Sequence, residues 1–264
     1  MKIAISTNKG GVLKTSLSVN LAALLMEKGK RVLVVDADNQ GNVAITFGQN
    51  PDDLELTLYD LLLGGAAPED VILQVEGGAE GPCLHVLPSN DQMAFFDFDV
   101  LTDMERHPEP FKILDHKLKS LEPLYDVIVI DAPPNLGLVQ GNVLSSADHV
   151  IIPFQPEAYS MRSLIKILDT IGDFAEDHNH DLEILGIVGT LYDRRTILHA
   201  EILQECRAYA QENGISMFDA VIPRSVKFAA SVAYDGQPLA MARPSDPLVS
   251  IYRELLDEIL EVIG

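Results

Sequence analysis

Residues 8 to 16, Asn8-Lys9-Gly10-Gly11-Val12-Leu13-Lys14-Thr15-Ser16, constrain this chain more than any other stretch. The apolar run Ile3-Ala4-Ile5 precedes them, and the helical pattern Leu17, Leu21, Leu24, Leu25 follows. A strand, a glycine loop and a helix in that order make a phosphate cradle. Glycine lets backbone N–H groups point inward without interference from a Cβ, and the helix N-terminus adds positive potential. Gly10 to Ser16 would form the cradle. Lys14 would reach the β- and γ-phosphates, and the Thr15 hydroxyl would hold Mg²⁺. The plainer alternative is a glycine-rich turn before a buried helix, with no ligand. The phosphate-loop pattern G-x-x-x-x-G-K-[ST] is kept at Lys14-Thr15 and broken twice, by Asn8 and by Leu13 at the two glycine positions. Leu13 sets a Cβ where the backbone approaches phosphate.

Apolar periods switch repeatedly between strand-like and helix-like along the chain. This predicts an α/β fold with a doubly wound, mostly parallel sheet covered on both faces. Strands are expected over 31–35, 84–87, 127–130, 150–154, 184–191 and 220–224. Helices are expected over 15–28, 54–63, 112–121, 161–174, 198–212 and 248–263. Residues 76–82 read as an exposed loop, and Gln92 to Pro110 fits neither period. No repeat, low-complexity tract or long linker divides the chain, so 1–264 reads as one domain.

Acidic residues close the apolar runs at Asp36, Asp38 and Asp131. In open parallel sheets ligands sit beyond the carboxyl ends of the strands. Asp131, after Val127-Ile128-Val129-Ile130, is therefore aimed at the site the glycine loop opens, where it would serve the Mg²⁺ shell. A lone acid at a strand end is usually a helix cap. Several such ends converging on a phosphate loop favour the site.

These stretches resemble the ParA/MinD family of P-loop ATPases, most closely its ParA/Soj-type partition members. Residues 9–15 are similar to the deviant Walker A motif K-G-G-x-G-K-[ST], and Leu13 departs from it. Asp36-Ala37-Asp38-Asn39-Gln40-Gly41-Asn42 resembles D-x-D-P-Q-G-N, with Asn39 in place of proline. Asp131-Ala132-Pro133-Pro134 matches D-x-P-P. Thr190 to Thr196 resembles T-M-[YF]-D-x-R-T, Ile222 to Lys227 resembles I-P-R-N-V-R, and Gly236-Gln237-Pro238 fits G-[KQ]-P. The motifs run in order from residue 2 to the end. The resemblance implies ATP or ADP with Mg²⁺ as cofactors and an ATP-sandwich homodimer. It implies slow hydrolysis stimulated by a ParB-like or other protein, and a role in partitioning DNA or positioning a large cargo. Lys9 would be the signature lysine that reaches the neighbouring subunit's phosphates, and Asp38 would orient the attacking water. Pro223 and Arg224 would contact the base and ribose. Arg195 and Lys227 fall where nucleoid-tracking members carry DNA-binding cations.

Charge bears on the last point. Forty acidic residues against nineteen basic give a net charge of −21, which opposes nucleic acid and anionic membrane in general. The C-terminal stretch Tyr252 to Ile263 is amphipathic but acidic, so no membrane partner is expected, unlike MinD-type relatives with basic tails. Cys83 and Cys206 are far apart and form no metal pair, which fits a reduced cytoplasmic or nucleoid-associated protein. No stretch is long and apolar enough for a membrane span or a signal peptide, and no operator-reading domain is expected before the loop. Three other readings stay open. One is a nucleotide-switched scaffold that positions a protein assembly and ignores DNA. Another is a pseudo-ATPase weakened by Leu13, and the third is a nucleotide-dependent synthase on the same fold.

Overall fold

The computed structural model describes residues 1–78 and 81–264. Eight strands form one sheet: β1 (Lys2–Ile5), β2 (Arg31–Asp36), β3 (Leu73–Glu76), β4 (Cys83–Leu87), β5 (Val127–Asp131), β6 (His149–Phe154), β7 (Glu183–Tyr192) and β8 (Met217–Pro223). Their order is β3-β4-β2-β5-β1-β6-β7-β8, and only β3 runs antiparallel to its neighbour. The long helices are α1 (Lys14–Glu27), α2 (Leu138–Ser146), α3 (Ser160–Asp177), α4 (Ile197–Glu212) and α5 (Pro247–Ile263). The expected doubly wound α/β sheet is therefore present. The chain winds outward from β1 in both directions, so the winding reverses there and a ligand crevice lies beyond its carboxyl end.

Side chains alternate across each strand, and both faces are dry. Leu33, Val35, Ile128 and Ile130 pack on one face with Leu138 and Val143 of α2, Leu164 and Ile167 of α3, and Cys206 of α4. Val32, Val34, Val127 and Val129 pack on the other with Leu17, Leu21 and Leu24 of α1 and Tyr252, Leu255 and Ile259 of α5. The amphipathic C-terminal stretch thus covers the sheet, as its acidic outer face predicts. Cys83 and Cys206 are free and buried. Among the described residues no helix is long and apolar enough to cross a membrane.

Four local readings change. The helix expected over 54–63 starts only after Thr57, whose N–H donates to Asp60 Oδ2 at 2.9 Å and fixes the cap there. The helix expected over 112–121 spans Ile113–Leu118 and gives way to a 3₁₀ turn at Glu122–Leu124. The loop expected over 76–82 begins later, because Glu76 ends the edge strand β3; residues 79 and 80 of that loop lie outside the described residues. Gln92 to Pro110 contains a 3₁₀ turn at Asp91–Phe95 and a helix at Phe96–Thr102. At the opposite edge, Glu258 of α5 accepts the N–H groups of Asp219 (2.6 Å) and Ala220 (2.9 Å) on β8.

Candidate nucleotide site

The loop between β1 and α1 turns through two left-handed residues, Gly11 (φ 72°) and Leu13 (φ 69°, ψ 26°). Leucine there costs about 1–2 kcal/mol of backbone strain. Its side chain recovers part of this by packing on the core beneath α1. Leu13 thus takes the dihedrals that a glycine would take, and its carbonyl accepts the Leu17 N–H at 2.8 Å to start the helix. A Cβ on Gly10 or Gly11 would meet nothing within 4 Å, so the loop faces open space. Val12 is buried and points away, toward Thr7 and Phe154.

That open space is a cleft of about 970 Å³, at the upper end of the size of small-ligand sites. Gly10, Gly11, Lys14, Thr15, Ser16 and Asp38 line its polar end. Val19, Ile45, Phe228, Val232 and Leu239 line its apolar end, as a flat base would require. The residues present fit a nucleotide: a cationic, glycine-walled end joined to an apolar slot.

Asp131 lies buried behind the cleft lining, 1% exposed, and reaches it through Thr15. Register places it beside Asp36 on β2 and Ile5 on β1. Thr15 Oγ1 donates to Asp131 Oδ2 (2.6 Å) and Ser18 Oγ to Oδ1 (2.9 Å). Burial still pushes the Asp131 carboxyl up to about 6, against the pull of those hydroxyls and of Lys14. Asp36 is also fully buried and accepts the Asp38 and Val43 N–H groups. Burial first, and Asp131 second, raise its carboxyl well above the ordinary range. Two carboxylates crowded in one dry floor, with a hydroxyl beside them, are a donor set suited to a hard divalent cation and its waters. Lys14 is 7% exposed, and its Nζ donates to the Lys9 carbonyl at 3.3 Å. Burial lowers its pKa, opposed by Asp131 and Asp38.

Comparison with known proteins agrees with this geometry. A family model described as an AAA domain matches residues 1–184. The sporulation initiation inhibitor protein Soj of Bacillus subtilis is 35% identical over 259 residues, which cover 97% of this chain and 97% of Soj. The chain belongs to the ParA/MinD family of P-loop ATPases. The chromosome-partitioning ATPase Soj of Thermus thermophilus is 34% identical over 98% of this chain and 95% of its own. Among solved structures, cobyrinic acid a,c-diamide synthase from Mycobacterium smegmatis with bound ADP and magnesium superposes with a TM-score of 0.82. It is 30% identical, over 98% of this chain and 94% of its own. The septum site-determining protein MinD of Pyrococcus horikoshii shares the fold at a TM-score of 0.74 and 24% identity, over 100% of this chain and 97% of its own.

The other expected site residues of this ParA/MinD-family chain are spread more widely. Asp38 lines the cleft, and its Oδ1 accepts the Gln40 N–H at 3.1 Å. Lys9 is turned to its own chain: its Nζ meets Glu157 Oε2, while Arg224 Nη2 stands 3.9 Å from Glu157 Oε1. Pro223 lies instead along a surface hollow with Tyr192 and Asp219, and neither it nor Arg224 is among the cleft lining; the apolar end is built by residues 228–239. Arg195 is 89% exposed at its side chain and paired with Asp193 (2.8 Å), and Lys227 is paired with Asp246 (2.7 Å). Three contributors had not been singled out. Ser18 sits one helical turn after Thr15, a spacing legible in sequence. Glu157 and the stretch 228–235 carry no local signal, whereas Pro238 of the Gly236-Gln237-Pro238 motif does line the cleft.

Proposed function

We propose that residues 1–264 act as one partition-type ATPase unit. It binds Mg–ATP in the cleft, closes into a homodimer around it, and hydrolyses ATP slowly until a ParB-like partner acts. That cycle positions DNA or another large cargo. The observation that carries this reading is the convergence of Lys14, Thr15 and Asp38 on one cleft, with Asp131 bonded to Thr15 just behind it, in a chain similar to Soj from end to end.

Lys14 and the loop N–H groups hold phosphate charge, which a dry site makes far more effective than water does. Thr15 and Asp131 hold the cation, and Asp38 orients water. Support for the dimer comes from exposed apolar residues on the face where the cleft opens. Leu136, Tyr159, Ile197 and Val226 follow the carboxyl ends of β5, β6, β7 and β8 in turn, and Tyr159 is held left-handed and 88% exposed.

The test is DNA binding and sedimentation with ATP, with ADP and without nucleotide, at low and moderate salt. ATP-dependent dimers that bind DNA in a salt-sensitive way support partition. A second reading, a nucleotide-switched scaffold without DNA, is favoured by one observation. Arg195 and Lys227 are each neutralised by a neighbouring carboxylate in a chain of net charge −21. ATP-dependent dimers that ignore DNA at every salt would select it.

A further inference from the structure

We propose that Tyr252, on α5, is a positioning residue for the nucleotide: its hydroxyl fixes the Ser16 hydroxyl as a donor aimed at the phosphate next to the nucleoside. The proposal deepens the ATPase reading above and rests on it. Ser16 is the third residue of α1 and lines the cleft. Lys14 and Thr15 precede it at the polar end, and Val19 follows one turn later at the apolar end. A nucleotide laid along the cleft therefore brings its innermost phosphate, the one bonded to the ribose, over Ser16 at the helix N-terminus.

The Ser16 hydroxyl has one proton to give and two lone pairs to fill. Asn20, four residues further on the same face of α1, donates through Nδ2 to the Ser16 carbonyl at 2.7 Å and stands 3.4 Å from Ser16 Oγ. The Tyr252 hydroxyl lies 3.2 Å from Ser16 Oγ. Tyr252 is fully buried, and among the described residues Ser16 Oγ is the one partner its hydroxyl has. If Ser16 were the donor, the Tyr252 proton would be buried with no acceptor, which is costly. Tyr252 is therefore the donor. Burial raises its phenol above the ordinary value, so it keeps the proton it gives. Both lone pairs of Ser16 Oγ are thus engaged from the protein side. Among the described residues no protein group accepts the Ser16 proton, which is left to the cleft.

The same two side chains brace the apolar end. The Tyr252 ring meets Phe228 edge-on, with centroids 5.7 Å apart and planes at 76°, and Phe228 lines the slot. Asn20 Oδ1 accepts the Ala240 N–H at 2.9 Å, next to Leu239 of the slot. Phosphate donor and base wall are held together before any ligand arrives. A donor oriented in advance needs no reorganisation on binding, and one that itself accepts a hydrogen bond is polarised into a better donor.

The test is calorimetric titration of the full chain with ADP and Mg²⁺, for the parent, Tyr252→Phe, Ser16→Ala and the double variant. Tyr252→Phe keeps the ring against Phe228 and removes only the hydroxyl. It should weaken ADP about three- to tenfold. The KM for ATP should rise by a similar factor with kcat unchanged, because the innermost phosphate is held alike in ground and transition states. Ser16→Ala should weaken ADP at least as much, and in that background Tyr252→Phe should make no further difference. Equal losses from Tyr252→Phe in both backgrounds would assign Tyr252 to packing alone and overturn the proposal. Parent-like ADP affinity in Tyr252→Phe would overturn it too, while leaving the ATPase reading intact. A parent that binds no nucleotide would sink that reading and the proposal together.

Discussion

Lys9 Nζ lies 2.7 Å from Glu157 Oε2, so the loop lysine expected to serve a neighbouring subunit is held within its own chain. The hydrogen bond from Lys9 holds the Glu157 carboxyl below its usual range. Both side chains are partly exposed, so the pair is worth about 0.5–1 kcal/mol. In the homodimer proposed above, Lys9 would have to break this pair to reach the other subunit. Glu157→Gln should lower the ATP concentration for half-maximal dimerisation about two- to fivefold, measured by sedimentation. An unchanged or higher concentration would show that the pair plays no such part.

Leu13 already occupies the left-handed conformation of a loop glycine. Leu13→Gly should therefore change nucleotide affinity by less than about threefold, because the peptide directions stay the same. Stability should shift by no more than about 1 kcal/mol, as relief of strain offsets lost packing. Leu13→Val should cost about 1–2 kcal/mol, since a β-branched side chain resists positive φ. Calorimetric titration and urea unfolding check both. A large gain in turnover for Leu13→Gly would mean that the side chain cripples the loop.

The raised Asp131 carboxyl makes a pH prediction for the ligand-free protein. An acid whose value rises on folding, here from 3.8 to about 6, binds more protons folded than unfolded between those values. Stability conferred by burying the neutral form is lost as pH rises from about 4 to 6, and the loss levels off above that. Asp131→Asn should remove Asp131's share of this slope and leave the share due to Asp36, whose carboxyl burial also raises. It should also stabilise the ligand-free chain by about 1–3 kcal/mol at pH 7, measured by urea unfolding. Mg²⁺ should stabilise the parent in the presence of ADP and fail to stabilise the variant. A variant less stable than the parent at pH 7 would contradict the account.

Under the proposed function, Lys14 and Asp38 should divide binding from turnover. Lys14→Ala should abolish ATP binding, because a buried cation and its contact to the loop carbonyl are lost together. Asp38→Ala should bind ATP with near-parent affinity and slow hydrolysis by about 10²-fold or more. Titration with a labelled nucleotide and a phosphate-release assay separate the two. Parent-like turnover in Asp38→Ala would remove Asp38 from the reaction.

The parts of the molecule legible in sequence were those whose cause is local. The loop 8–16, the run 127–131 and the turn at Asp36–Asp38 each carry their structure in residues a few positions apart. Continuous apolar runs placed most of the sheet, since strands dry on both faces need no polar positions between. β3 escaped notice because Leu73–Glu76 is half-exposed and owes its pairing to β4. The ion pair of Lys9 with Glu157 spans 148 positions and has no signature in either segment. The apolar end of the cleft was missed for a similar reason. Phe228, Val232 and Leu239 fall outside every motif and every expected helix or strand, while the nearby Pro223-Arg224 had the more conspicuous sequence.

Glu258 gives the sheet a sealed margin. With the Asp219 and Ala220 N–H groups already answered by one carboxylate, that stretch of β8 offers a foreign strand no rungs to climb. A strand added at this margin would have to dislodge a helix first, so only the margin at β3 is left to pair with another chain.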